Sequence, residues 1–239
     1  MVRVDPERGP DTRDGMKLFG LEHGLILLAI AAAAALLSRT SRRSESVARA
    51  IRIGLGVFLA VNEAVWWTFR YSREGSRFPE GLPLELCDVA VWVAVFACLR
   101  ENRAATEFLY FAGLGGAGQA LLTPDLWAPL ASYPSIYFFL VHGAVVTAAI
   151  VLVVGARRRL PAKALLRAFG LLNLYAVAVG AFNAVFGTNY FYLCRKPNDP
   201  SLLDWFGPWP YYIAVGQLFT MAMFALLWLP VRERMGRRP

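Results

Sequence analysis

Residues 136–155 read IYFFLVHGAVVTAAIVLVVG. Twenty residues pass without an Asp, Glu, Lys or Arg, and a single imidazole, His142, sits among them. At 1.5 Å rise per residue such a run is ~30 Å long, the thickness of a bilayer's hydrocarbon core. The stretch therefore reads as a membrane-spanning helix that carries one ionisable group at depth. Working outward, similar runs cover roughly 18–37, 51–71, 84–99, 104–122, 164–186 and 210–230. The run at 84–99 is short and opens on Glu85, Cys87 and Asp88. The expected fold is all-α: a polytopic membrane helical bundle of about seven transmembrane helices.

Composition agrees. Of 239 residues, 57% are hydrophobic and 18% charged, where soluble domains hold about 45–50% and about 25%. Three cysteines in a chain of this length exclude a secreted disulfide scaffold. Sixteen Phe, seven Trp and nine Tyr exclude disorder. The formal charge of +8 does not point to nucleic acid, because most basic residues lie between apolar runs. In or beside the loops after spans one, three and five, and in the C-terminal tail, there are 16 Lys and Arg; the opposite side holds 9. The positive-inside rule then puts the N-terminus out and the C-terminus in, with clusters such as Arg157-Arg158-Arg159 as anchors touching anionic lipid. Residues 1–17 are expected as a flexible tail, 18–230 as one transmembrane domain, and 231–239 as a basic cytoplasmic tail. The expected location is a cell membrane, as a multi-pass protein.

Polar groups inside a bilayer are costly and need a partner or a purpose. On this topology they gather toward the outer side: Glu22 and His23, Asn62 and Glu63, Cys87 and Asp88, Gln119, His142 and Asn183. That distribution suggests a cavity open to the outer leaflet. A through-pore would need polar groups at every depth; only Asn173 and Glu107 hint at one. Two loops face the same side. One begins Thr123-Pro124-Asp125; the other, GTNYFYLCRKPNDPSLLDWFGPW (187–209), is apolar enough to fold as a lid. Gly113, Gly115, Gly116 and Gly118 read as close-packing positions.

Cys87 and His142 are the candidate catalytic pair. A thiolate is a nucleophile, an imidazole can take the thiol proton, and a helix N-terminus favours the anion. Asp88, Glu63 or Glu85 would orient the imidazole, and His23 is the rival base, since the chain has two histidines. Other readings stand beside this: Cys87 as an apolar filler, or a Cys87–Cys194 disulfide. Cys98, one long step along the same helix, reads as inert. No metal-ligand spacing and no nucleotide-binding motif is present, so no cofactor and no metal are expected.

The segments LPLELCDVAVW (82–92), GLGGAGQALLTPDL (113–126), FFLVHG (138–143) and NAVFGTNYFYLCRKPNDPSLLDWFGPWPYY (183–212) resemble the YwaF-like family of bacterial integral membrane proteins. That family is similar to the eukaryotic transmembrane protein 164 group. The resemblance runs from about residue 18 to 230. It implies a bacterial inner-membrane enzyme that moves a fatty acyl chain between phospholipids, with Cys87 and His142 at the family's catalytic positions; more distant relatives hydrolyse lipid esters. The pattern departs at Glu85, where bacterial relatives often carry His. Asn189, Gln119 or backbone N–H groups at the start of span three are candidates for the oxyanion, and Tyr190, Arg195 and Lys196 for a phosphate head group. The expected partners are phospholipid and lysophospholipid, with no nucleic acid. Two other classes remain open: a small-molecule permease, and a non-catalytic sensor or assembly factor.

Overall fold

The computed structural model describes residues 18–75, 77–124, 126, 128–197 and 201–233. The expected tail at 1–17, Asp125 and the end of the basic tail at 234–239 lie outside the described residues. The described residues form helices α1 (Leu21–Thr40), α2 (Glu45–Glu74), α3 (Leu86–Arg100), α4 (103–122), α5 (Tyr133–Gly155), α6 (Ala162–Phe186) and α7 (Tyr211–Val231), with no strand among them. Three boundaries have a clear local cause. Ser44 Oγ accepts the Val47 N–H at 3.2 Å and starts α2. Asn102 Oδ1 accepts the Ala105 N–H at 2.9 Å and starts α4. Gly187, at φ +69, ends α6 in the left-handed conformation that glycine adopts without strain.

Five of these helices, α1, α2, α5, α6 and α7, are long and apolar enough to cross a membrane. The sequence reading counted α3 and α4 as spans too, and both fall below that measure. Helix α3 has 15 residues, ~22 Å at helical rise against a ~30 Å core. Helix α4 opens on Arg103 and Glu107, and its hydrogen-bond register changes at a π turn over Leu109–Gly113. The chain is a multi-pass membrane protein with five such helices among the described residues.

Helix α5 is the central post. Within its most apolar window 78% of residues are buried, against 11–17% for α1, α2, α6 and α7. One core cluster packs α2, α3, α4 and α5 around Leu59, Val91, Val141 and Val145. A second packs α4, α6 and α7 around Phe111, Leu165 and Phe224. The outer faces remain apolar, with Leu25 and Leu28 on α1, Leu174 and Val177 on α6, and Leu218 and Leu226 on α7 exposed. A surface of that kind is solvated by lipid chains rather than by water. Small residues set the helix spacing: a Cβ on Gly143 would lie 2.9 Å from Ile30 Cγ1, so α1 and α5 meet closely there. Gly115 faces Met223 and Gly116 faces Leu86 in the same way, whereas Gly118 has nothing within 4 Å.

Successive helices run in opposite directions. The start of α3, the end of α4, the start of α5 and the loop after α6 therefore share one end of the bundle. The starts of α4 and α6 and the ends of α5 and α7 share the other.

Candidate functional site

Helix α3 begins after a run of turns at 78–83, where Asp88 Oδ2 accepts the Glu85 N–H at 3.1 Å. That cap sets Cys87 in the first helical turn. Glu85 does more: its Oε2 accepts the Phe191 N–H at 3.1 Å, tying the loop after α6 to the start of α3. Glu85 is thus both a cap and a loop anchor.

Across from it, α5 carries Tyr137, Val141, His142 and Val145. With Cys87, Asp88, Ala90 and Val91 of α3 and Ala117 of α4 they line one narrow cavity of about 20 Å³. Cys87 and His142 are 55 positions apart in the chain, and the fold brings them to the same cavity wall. The His142 Nδ1 lies 2.8 Å from the Phe138 carbonyl. A carbonyl only accepts, so Nδ1 holds a proton and Nε2 of the neutral ring has a free lone pair. Nε2 is buried and has no hydrogen-bond partner among the described residues. A buried ring nitrogen left without a partner beside a thiol is an available base. No hydrogen bond joins Cys87 to His142.

The cavity's other polar wall is a network. Tyr137 donates its O–H to Glu63 Oε2 at 2.6 Å, and Trp67 Nε1 donates to Glu63 Oε1 at 2.7 Å. Glu63 is fully buried and reaches the cavity only through Tyr137. The Tyr137 ring stacks on Trp66, with centroids 4.2 Å apart and planes 8° from parallel. The sequence reading did not single out Tyr137. Its signal was present: Tyr137, Val141 and Val145 recur every fourth residue and so share a face of α5.

The remaining candidates divide by position. His23 is buried and fully engaged: its Nδ1 accepts the Phe19 N–H at 3.0 Å, and Nε2 is 2.8 Å from the Leu121 carbonyl. It clamps the start of α1 to the end of α4 and does not line the cavity. Gln119 also lies off the cavity, with Nε2 3.0 Å from Met223 Sδ. Asn183 is buried. Its Nδ2 donates to the Tyr190 carbonyl at 2.9 Å, and its Oδ1 accepts from Thr188 Oγ1 at 2.7 Å and the Tyr190 N–H at 3.0 Å. Asn189 Oδ1 accepts the N–H groups of Cys194 and Arg195, both at 3.0 Å. These two amides fold the loop rather than face the cavity. Tyr190 donates to the Pro79 carbonyl at 2.8 Å and accepts the Leu82 N–H at 2.9 Å, joining that loop to the segment before α3. Burial pushes its phenol above the usual range. Arg195 is exposed. Lys196 Nζ is 3.8 Å from Asp204 and 5.7 Å from the Tyr212 ring centre. Cys87, Cys98 and Cys194 are all free thiols, so no Cys87–Cys194 bond closes the site.

Polarity is not confined to this end. Glu107 is buried at the opposite end, at 2% exposure, between Arg103 and Arg167. The sequence pattern had placed the buried polar groups mostly on one side; a second buried carboxylate sits where two helix starts converge.

Residues 18–228 match the model of the TMEM164 family, and the chain belongs to that family. No curated protein and no solved structure matches it.

Proposed function

We propose that this TMEM164-family protein is an integral membrane enzyme that transfers a fatty acyl group between phospholipids, with Cys87 as nucleophile and His142 as general base. One observation carries the reading. The thiol of α3 and an imidazole of α5 whose Nε2 is buried and unpartnered line the same cavity. The rest of the lining, Ala90, Val91, Ala117, Val141 and Val145, is apolar, and the space between suits the reacting carbonyl group rather than a whole acyl chain.

In this mechanism Nε2 of His142 takes the Cys87 thiol proton as an ester carbonyl fills the cavity and draws the two to hydrogen-bond distance. The sulfur bonds to the carbonyl carbon. N–H groups in the first turn of α3, which have no acceptor four residues back, stabilise the oxyanion. The ester C–O bond breaks, the lysophospholipid oxygen receives the proton from His142, and a thioester remains on Cys87. A second lysophospholipid gives its hydroxyl proton to His142, its oxygen attacks the thioester, and the thiolate takes the proton back. Tyr137 and Asp88 shape the polar wall, and Glu63 holds Tyr137 in place. The loop after α6 covers the mouth; Arg195 and Lys196 meet the head group there.

The reading includes a seven-span arrangement in a bacterial inner membrane with the N-terminus out. The excess of Lys and Arg at the far end of the bundle supports that direction. Helix α3 then crosses its layer with the segment before it lying at the interface.

The test is acyl exchange by the purified full chain in liposomes of defined phospholipid with isotope-labelled lysophospholipid, read by mass spectrometry. Label in diacyl lipid is expected with the intact chain. Loss by ~10²-fold or more is expected in Cys87→Ala and His142→Leu. Free labelled fatty acid in place of exchange would make the protein a hydrolase. Undiminished exchange in Cys87→Ala would remove the nucleophile from the scheme.

A further inference from the structure

At the end of the bundle opposite the thiol, a second cavity opens between the starts of α4 and α6 and the end of α7. Its volume is about 310 Å³. Arg103, Arg158 and Arg159 line it, along with Glu107 and Glu233. The charges are not equivalent. Both oxygens of Glu107 are already taken, by Arg103 Nε at 2.9 Å and by an Arg167 guanidinium nitrogen at 2.6 Å. Arg158 is half-buried, and its side chain has no hydrogen-bond or ion-pair partner among the described residues. Arg159 spends one N–H on the Pro230 carbonyl, at 3.0 Å. An arginine offers five N–H donors in a planar fork, so most of the donor capacity here is unspent.

The frame is rigid. The Leu160 N–H donates to the Val231 carbonyl at 2.9 Å, the Glu233 N–H to the Leu160 carbonyl at 3.2 Å, and Trp228 Nε1 to the same carbonyl at 2.8 Å. These bonds fasten the turn after α5 to the end of α7, so Arg158 and Arg159 leave from a fixed backbone. The starts of α4 and α6 add the positive ends of two helix dipoles. At the same end of the bundle, Leu166 near the start of α6 and Leu229 near the end of α7 are 60% and 50% exposed.

We propose that this cavity is a binding site for the phosphate of an anionic phospholipid, with Arg158 and Arg159 as the principal ligands and the acyl chains lying against Leu166 and Leu229. Guanidinium forks match phosphate oxygens in pairs, and exposed apolar residues at the same end of the bundle fit a head group that arrives with its chains attached. Glu107, neutralised by Arg103 and Arg167, is part of the frame. Glu233 opposes the ligand's charge. The site is distinct from the thiol cavity and does not depend on the acyl-transfer reading.

The experiment is native mass spectrometry of the detergent-purified full chain, titrated with phosphatidylglycerol, with phosphatidylcholine, and separately with inorganic phosphate. The expected result is one tightly retained phosphatidylglycerol, weakened at least tenfold in the Arg158→Gln/Arg159→Gln double variant. It is unchanged in Arg157→Gln, which removes a neighbouring charge outside the lining. Glu233→Gln is expected to tighten binding. Equal weakening in Arg157→Gln would mean diffuse surface attraction and would overturn the proposal, as would full retention in the double variant. Retention of phosphatidylcholine as tightly as phosphatidylglycerol would overturn the selection by charge. Inorganic phosphate displacing the lipid at equal concentration would overturn the lipid as the source and leave a free-phosphate site. Unchanged thermal unfolding of the double variant in lipid-free detergent is the check that it is folded.

Discussion

Replacing Tyr137 with Phe removes one oxygen and nothing else from the wall of the thiol cavity. The ring stays stacked on Trp66 at 4.2 Å, since that contact uses only the aromatic face. What is lost is the 2.6 Å donation to Glu63 Oε2. Glu63 is fully buried and keeps only the 2.7 Å bond from Trp67 to its other oxygen. Interhelical hydrogen bonds inside membranes average only ~0.6 kcal/mol and reach ~1.7 kcal/mol in double-mutant cycles. Here, however, a buried acceptor is left alone, which costs ~1–3 kcal/mol. The expected loss is therefore ~1–2 kcal/mol, roughly a 5- to 30-fold shift in the folding equilibrium. The natural control stands one turn away. The Tyr133 hydroxyl is buried with no partner among the described residues, so Tyr133→Phe is expected to change stability by less than ~0.5 kcal/mol. Equilibrium unfolding in mixed micelles measures both. A cycle with Glu63→Leu isolates the pair, because the Tyr137→Phe penalty should shrink by ~1 kcal/mol once the acceptor is gone. Equal losses at Tyr133 and Tyr137, or a coupling near zero, would refute the reasoning that Glu63 depends on Tyr137.

The two histidines should behave in opposite ways. His23→Leu strips two buried hydrogen bonds and is expected to cost ~2–4 kcal/mol in micelle unfolding with acyl exchange per folded molecule retained; His142→Leu is expected to lose exchange with a smaller change in stability. Asn183→Ala removes three bonds that hold the start of the 187–209 loop. Faster amide hydrogen exchange is expected there and not in α5, and uniform exchange across the bundle would contradict a local clamp. Gly143→Val forces a side chain into the 2.9 Å approach to Ile30; a loss of ~1–3 kcal/mol is expected. Ile30→Ala in the same chain should recover much of it, and no recovery would show that the contact between α1 and α5 is not what Gly143 serves.

The apolar runs by themselves made the membrane class legible, and they located the helices to within about three residues, except that α2 starts six residues before its expected span. Charge between the runs pointed to a direction. Cys87 and His142 stood out because reactive side chains are rare in such runs. The shared cavity was not legible. Helix α5 is apolar around nearly its whole circumference, so its pattern does not say which face meets a neighbour. His23 and His142 looked alike in sequence: each is one imidazole near the outer end of an apolar run. Each ring has one nitrogen on a carbonyl, Leu121 for His23 and Phe138 for His142; their difference is made by the Phe19 N–H, which occupies the other nitrogen of His23 alone, and backbone positions are not written in residue types. Gln119 and Asn189 were plausible oxyanion donors by depth alone. The fold turns one toward Met223 and folds the other into its own loop.

The sequence alone therefore determined the solvent of this protein, its helical class and its reactive inventory, because transfer from water to lipid is a sum over residues and needs no partner. Tertiary structure decided which helix is central, that α3 and α5 bring a thiol and an unpartnered imidazole to one cavity, and that Glu107 at the far end is held by two arginines. Those are pairwise facts. They depend on which faces small residues such as Gly143 let approach and on where backbone carbonyls fall, and no composition or period encodes either.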